Sequence, residues 1–338
     1  MFAISPIKLD FKQTDRNSSQ SNACSFSCNN LAPLKKDTVS FGNVKHNKIL
    51  TSRANSISIS LAKNIRAEAE SDFIKFERTI KKILKPFTST SSSPNKTIDS
   101  FSFRLKSVES IVEKAGSLET NNKDAIKRNF SDLIGGRIVL KDTSKEKVNE
   151  IIEALTKAVK NGEIKIKEIE NYRPEHKYEY ASNNVLRKLE KECVNWTTDF
   201  NFHEAQVPTG YMAIHLGVET PNKFLGELQI MGKGVEQLKE LEDIFYKIKN
   251  NKNIDKKYKP IATKLKDLAT NEPLRRAFNA HTKEQYIYAR KNENKKSYVP
   301  NVFLKHPDFL DAKYDFNRIF KMKTECDNKA KILTKGKK

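Results

Sequence analysis

Cysteine, glycine, proline and long apolar runs are all scarce in this chain. Four cysteines in 338 residues, with Cys24 and Cys28 close together near the N-terminus, exclude a disulfide scaffold and fit a reducing, cytoplasmic setting. Eleven glycines and eleven prolines leave no room for a collagen-like or repeat architecture. No apolar run approaches the ~18 residues of a membrane span, so an integral membrane protein is excluded. The common catalytic signatures are missing too. There is no GxxxxGK[ST], because Gly232-Lys233-Gly234 has the wrong spacing, and no GxGxxG follows a strand. No HExxH, no Cys/His cluster with zinc spacing and no GxSxG occurs, and none of the six histidines precedes an Asp. An enzyme with this inventory is expected to act through positioned charges and a metal rather than a covalent nucleophile.

Positive charge is abundant and unevenly placed. Lys and Arg total 63 against 42 Asp and Glu, a formal net charge of +21. Residues 231–338 hold 27 basic and 14 acidic side chains, so most of the excess lies in the last third. A surface of that sign attracts polyphosphates or nucleic acid by a salt-sensitive, sequence-blind mechanism, although a solvated lysine-rich face has the same composition. Apolar residues make up 37%, enough for a core over part of the chain only.

Residues 1–55 are rich in Ser, Asn and Thr without sustained period, which predicts a disordered leader; they lack the charged, apolar and small-residue succession of a secretory signal. A helical period then runs over 56–84 through Ile65, Phe73, Phe76, Ile80 and Leu84, and Pro86 stops it before a Ser-rich loop over 88–95. Strand-like alternation at 100–105 precedes an amphipathic helix near 108–114, an apolar strand at 138–140 and a helix over 144–159 with Ser144 at its start. The alternating, charged segment 163–170 reads as an edge or half-exposed strand. A helix over 184–194 and strands over 211–219 and 224–230 follow, then helical pattern to about 288. Strands interleaved with helices predict a mixed α/β fold: a central mixed sheet flanked by helices over 56–250, a basic helical extension at 251–290, and a basic tail at 291–338.

Four segments place polar residues where packing alone would place few. In Arg104-Leu-Lys106-Ser107-Val-Glu-Ser110-Ile-Val-Glu-Lys114, residues Ser107, Ser110 and Lys114 share one helix face near its start. Backbone N–H groups there, with hydroxyls and cations, suit a polyphosphate, as they also suit a capped, solvated helix. In Ser131-Asp132-Leu-Ile-Gly135-Gly136-Arg137, Asp132 reads either as a turn residue or as a Mg²⁺ ligand beside phosphates; the glycines permit close backbone approach and Arg137 supplies a guanidinium fork. In Gly210-Tyr211-Met-Ala-Ile-His215, the ring and the imidazole lie on one strand face. In Gly226-Glu227-Leu-Gln229-Ile, Glu227 and Gln229 share a face opposite Leu228 and Ile230, and a metal or a hydroxyl to be deprotonated would satisfy the carboxylate.

These motifs, RxKSxxSIxxK, DLIGxR, GYxxxH and ExQI in this order, resemble the synthetase domain of RelA/SpoT alarmone enzymes over about residues 103–249. The resemblance implies a nucleotidyltransferase-like synthetase fold and a pyrophosphokinase that moves the β,γ-pyrophosphate of ATP onto a ribose 3′-hydroxyl. It places Arg104 against adenine, Lys106, Ser110 and Lys114 on the ATP phosphates, and Arg137 in the donor site. Asp132 and Glu227 are the implied Mg²⁺ ligands and catalytic residues, with Tyr211 stacking on the acceptor base, His215 on its phosphate and Gln229 alongside. Three departures fall on the acceptor side. Asn171-Tyr172-Arg173 and about thirty further residues replace the usual Asp-Tyr-Ile-x-x-Pro-Lys before Gly210, Met231-Gly232 replaces the Arg-Thr after ExQI, and Asp243-Ile-Phe-Tyr246 lacks the His of a family variant. The chain is therefore expected to be a small synthetase using ATP and GDP or GTP. The alternatives are a toxin that pyrophosphorylates the 3′ end of tRNA or makes adenosine alarmones, for which the basic last third speaks and a neutralising antitoxin is implied, an exported effector, and a catalytically silent nucleotide- or RNA-binding module; the Arg275-Arg276 pair reads either as an RNA contact or as a solvated helix face. Cys193 and Trp196 read as core or helix-end residues.

Overall fold

The computed structural model describes residues 59–88, 97–117, 122–173, 179–197, 199–207, 209–249, 254–300, 302–305 and 314–335. The expected leader and nearly all of the Ser-rich loop lie outside the described residues. A six-stranded mixed sheet organises the rest, built from β1 (Ile98–Leu105), β2 (Ile134–Leu140), β3 (Lys165–Arg173), β4 (Asn201–Gln206), β5 (Ala213–Glu219) and β6 (Leu225–Gly232) in the order β1-β2-β6-β5-β3-β4. Strands β2 and β6 are parallel, as are β3 and β4, while β1–β2, β6–β5 and β5–β3 are antiparallel. The β3–β4 pair needs a crossover, which helix α5 (Asn183–Trp196) supplies.

Alternation along each strand gives the sheet two different faces. One carries Phe103, Gly136, Ile138, Ile214, Leu216, Leu228 and Ile230, and it packs on α1 (Ile59–Leu84) and α4 (Lys145–Lys160). The stripe on α1 is Ala62, Ile65, Ala69, Phe76, Ile80 and Leu84, spaced at three and four residues and buried. Each large apolar side chain in it contributes roughly 1.5–3 kcal/mol of transfer free energy. Phe76 meets Phe103 edge-on at 5.9 Å, and the missing side chain of Gly136 makes room for this contact: a Cβ there would stand 3.0 Å from both rings and 2.9 Å from Leu228. Buried Asp72 of α1 accepts from Thr220 Oγ1 at 2.5 Å and Asn222 N at 3.0 Å, tying the helix to the β5–β6 turn.

The opposite face is polar across all six strands: Ser102 and Arg104, Gly135 and Arg137, Glu227 and Gln229, His215, Glu170 and Tyr172, and His203. The short helices α2 (Val108–Ser117) and α3 (Lys123–Asn129) pack against α1, and the C-terminal third covers part of the polar face. It comprises α6 (Lys233–Lys249), α7 (Lys259–Lys264), α8 (Lys266–Thr270), α9 (Glu272–Asn292) and α10 (Phe316–Lys335).

Three differences from the sequence reading have physical causes. Of the two alternatives for the segment at 163–170, the half-exposed strand holds and the edge does not: β3 lies between β5 and β4, with buried and partly exposed residues along it. The edge is β4, whose Asn-Phe-His-Glu-Ala-Gln sequence is too polar and too exposed on both faces to show an alternating signal. The 291–338 region is not only a tail, because α10 packs its Phe316 and Ile319 into the core; its apolar stripe is interrupted at Lys323, a buried lysine whose ammonium is ion-paired. Arg137 also stands mid-strand rather than at a strand start, since β2 begins at Ile134.

Candidate active site

The polar sheet face carries two clusters of charge. The first forms where β1 ends and β2 begins. Lys106 follows β1, and its backbone N–H donates to Leu133 O at 2.9 Å, fixing the approach of the two strands. Ser107 then caps α2, accepting from Ser110 N at 3.3 Å, so that Lys114 emerges two turns later on the same side. Both ammonium groups converge on Asp132, Lys106 Nζ on Oδ2 at 2.5 Å and Lys114 Nζ on Oδ1 at 2.8 Å. Burial by itself would raise the Asp132 carboxyl, but the two cations outweigh it and hold it down at about 2. Burial lowers Lys106 below its ordinary value, against the attraction of Asp132. The cluster is thus two ammonium groups sharing one ionised carboxylate, and an incoming polyphosphate offers them a richer set of acceptor oxygens.

The second cluster is a continuous hydrogen-bonded row across β5, β6 and β2. Burial keeps the Tyr211 hydroxyl protonated, well above its ordinary pKa, and it hydrogen-bonds His215 Nε2 at 2.9 Å. Nδ1 of the same ring stands 3.0 Å from Glu227 Oε1. Glu227 Oε2 accepts from Gln229 Nε2 at 2.9 Å, and Gln229 Oε1 accepts from Arg137 Nε at 3.3 Å. Burial would raise Glu227, and so would the charge of Asp132, but His215 and Arg104 prevail and hold it below the usual carboxylate range. An ionised, oriented carboxylate with both neighbours fixed is suited to accept a hydrogen bond from a hydroxyl entering the cleft. The row ends on Arg137 Nη1, 3.4 Å from Glu236 Oε1 on the first turn of α6; burial, then Glu240, raise Glu236 to about 7.

Beside this row lies a cleft of about 240 Å³ lined on the sheet side by Ser102, Arg104, Gly135, Arg137, Glu227 and Gln229. Arg104 is exposed, and its aliphatic stem crosses Gly135, where a Cβ would come within 3.2 Å of Arg104 Cγ. Of the residues singled out from sequence, Asp132, Lys106 and Lys114 come together, as do Tyr211, His215, Glu227, Gln229 and Arg137. Ser110 stays on α2, 3.2 Å from Ser107 Oγ. Tyr211 is 8% exposed, its ring edge-on to Tyr286 of α9 at 6.0 Å. Gly210 permits this closure: its φ is +85°, and a Cβ would stand 3.2 Å from Tyr286 Cβ.

Several residues of the site escaped the sequence reading. Tyr172 lies with its ring 4.7 Å from His215 and donates its hydroxyl to Glu170 at 3.0 Å. The alternation Glu168, Glu170, Tyr172 along β3 was a usable signal for that face. Glu240, Tyr258 and Lys323 also line the cleft, beside the Asp243 already noted, and nothing local in the sequence marks these three.

Among the described residues no three His, Cys, Asp or Glu side chains stand together as a metal-binding group, so a Mg²⁺ ion here would rest on the two carboxylates Asp132 and Glu227 and on phosphate oxygens brought by a substrate.

Residues 103–251 match the family described as the region found in RelA / SpoT proteins. Among solved structures, the chain resembles small alarmone synthetase 1 from Bacillus subtilis bound to its product pppGpp, at 18% identity over 67% of this chain and 93% of that one, with a TM-score of 0.34. It resembles small alarmone synthetase 2 from Bacillus subtilis at 18% identity, over 68% of this chain and 97% of that one, TM-score 0.36. A GTP pyrophosphokinase family protein from Streptococcus pneumoniae matches at 17% identity, over 68% and 95%, TM-score 0.32. No curated protein matches the sequence. Among the described residues no helix is long and apolar enough to cross a membrane.

Proposed function

We propose that this chain, whose residues 103–251 are a RelA/SpoT-type region, is a cytoplasmic pyrophosphokinase that transfers the β,γ-pyrophosphate of ATP to the ribose 3′-hydroxyl of GDP or GTP. One observation carries the reading: an ionised carboxylate held by two lysines and a second ionised carboxylate held by a histidine share one polar sheet face. Lys106 and Lys114 would exchange Asp132 for the ATP phosphates, with Ser110 and the start of α2 alongside, while Arg104 and Arg137 flank the base. Asp132 and Glu227 would hold Mg²⁺, which when bound neutralises charge on the transferred group. Glu227 accepts the hydrogen bond of the attacking 3′-hydroxyl and takes its proton. The new bond forms from the 3′-oxygen to the β-phosphorus, and the bond from that phosphorus to the α–β bridging oxygen breaks, releasing AMP. His215 and Tyr211 keep Glu227 oriented throughout. Such a transfer needs alignment and charge neutralisation more than a covalent intermediate.

An acceptor at the 3′ end of tRNA is the second reading. It is favoured by the 27 basic against 14 acidic residues in 231–338. The test incubates purified protein with Mg²⁺ and γ-³²P-ATP, offering GDP, GTP and deacylated tRNA separately. Glu227-dependent label on a guanosine nucleotide supports the first reading, and label on tRNA alone replaces it with the second. No transfer that Glu227→Gln abolishes leaves a binding module.

A further inference from the structure

The wall of the cleft opposite the sheet is built by helix α6 and completed by residues beyond the matched region. Ile254, Tyr258 and Lys323 join Glu240, Asp243, Ile244 and Lys247 of α6 there. This wall sets Ile244, Ile254 and Tyr258 among two carboxylates, Glu240 and Asp243, and two ammonium groups, Lys247 and Lys323, a mixture of apolar surface with both donors and acceptors that suits a flat ring with polar edges. Phosphate has its own cations in Lys106 and Lys114, which do not line this cleft.

Within the wall, Lys323 Nζ stands 2.7 Å from Glu240 Oε2, an ammonium donor directly beside a carboxylate acceptor. The pair is rigidly held. Lys323 also reaches Asp327 Oδ2 at 3.0 Å, and Asp327 Oδ1 accepts from Lys257 Nζ at 2.7 Å and from Tyr258 OH at 2.8 Å. An ammonium has three N–H donors and these two carboxylates take two of them. An adenine edge offers the complement, with N1 accepting and the N6 amino group donating.

Resting on the reading of this cleft as the donor-nucleotide site, we propose that the C-terminal extension reads the donor base. Lys323 donates to N1, Glu240 accepts from the N6 amino group, and Tyr258 and Ile254 cover the ring. The region following the matched domain is then part of the substrate site rather than an appendage, and Lys323 and Glu240 are specificity-determining residues.

The test is equilibrium binding by calorimetry to the full chain with Mg²⁺, using ATP, 1-deaza-ATP (C–H in place of N1), and purine riboside triphosphate, which lacks the amino group. A hydrogen bond to a charged group accounts for about tenfold or more in affinity, so wild type is expected to bind both analogues at least about tenfold more weakly than ATP. Lys323→Met is expected to bind ATP and 1-deaza-ATP equally while still discriminating against purine riboside triphosphate, a pattern that a merely structural role for the lysine does not produce. Equal affinity of wild type for all three nucleotides overturns the proposal. That comparison needs no variant, so it decides the matter even if Lys323→Met folds poorly. The two readings fail separately. If ATP binds, Lys106→Met abolishes binding, and the analogues bind like ATP, the base-reading pair falls alone. If wild type binds no ATP, both fall.

Discussion

Replacing Asp132 with Asn is expected to move stability and polyphosphate affinity in opposite directions. The ionised carboxylate is held at about 2 against an ordinary 3.8 by Lys106 and Lys114, despite burial that opposes ionisation. At about 1.4 kcal/mol per pKa unit, this difference corresponds to roughly 2 kcal/mol of native-state stabilisation. A depressed carboxyl contributes its stabilisation above its unfolded value and loses it as pH falls through the folded one. The wild-type advantage over Asp132→Asn should therefore be full at neutral pH and shrink between about pH 4 and 2. Urea unfolding at pH 7 and through that acid window measures it. The same substitution removes the competitor for two ammonium groups. Metal-free inorganic tripolyphosphate should then bind more tightly, by about five- to thirtyfold if 1–2 kcal/mol is released, as calorimetry in EDTA reads directly. Turnover with Mg²⁺ should fall, because a ligand for the ion is gone. A variant that is as stable as wild type, or that binds tripolyphosphate more weakly, refutes the claim that Asp132 holds these lysines in reserve for phosphate.

Glu227→Gln keeps the shape but not the charge, and should cut transfer by 10² or more while leaving ATP affinity within a few-fold, giving a kcat effect without a KM effect. Glu236 is raised to about 7, by burial and then by Glu240, so its stabilisation is present below about pH 4.5 and lost as pH rises through about 7. Glu236→Gln should consequently gain a few degrees in Tm relative to wild type at pH 8 and little at pH 4.5, as thermal melts at the two values would report. Gly232→Ala places a Cβ about 2.2 Å from Glu293 Oε1, a carboxylate that accepts from Val235 N at 3.2 Å at the start of α6 and from Tyr180 OH at 3.2 Å. The variant should lose about 1–3 kcal/mol in urea unfolding, and adding Glu293→Ala should recover part of that loss by relieving the overlap.

Much of the sheet and its chemistry was legible because period-2 alternation reports on which face a residue lies. Glu227 and Gln229 against Leu228 and Ile230 could be sorted this way, and so could the buried stripe of α1 from its three- and four-residue spacing. The charged motifs could be placed at strand ends and a helix start from local capping and turn chemistry. The mutual geometry of Lys106, Lys114 and Asp132 was legible only through resemblance, because it depends on the antiparallel pairing of β1 with β2. The edge strand β4 was not legible at all, since an exposed edge has no buried side to impose a pattern.

Pattern within one element cannot say which other element will arrive opposite it, and this sets the division between sequence and tertiary structure here. Composition and periodicity by themselves determined a mixed α/β core, its helical faces and the strands that carry charge. Only the folded chain decided that Tyr286 closes over Tyr211, that Glu293 caps α6, and that Lys323 reaches Glu240. Those contacts join positions far apart in the chain, and each replaces water around a polar group with one specific partner. Burial makes such partners obligatory once the helices pack, and the packing of α9 and α10 on the core is a property of the whole assembly, not of any segment.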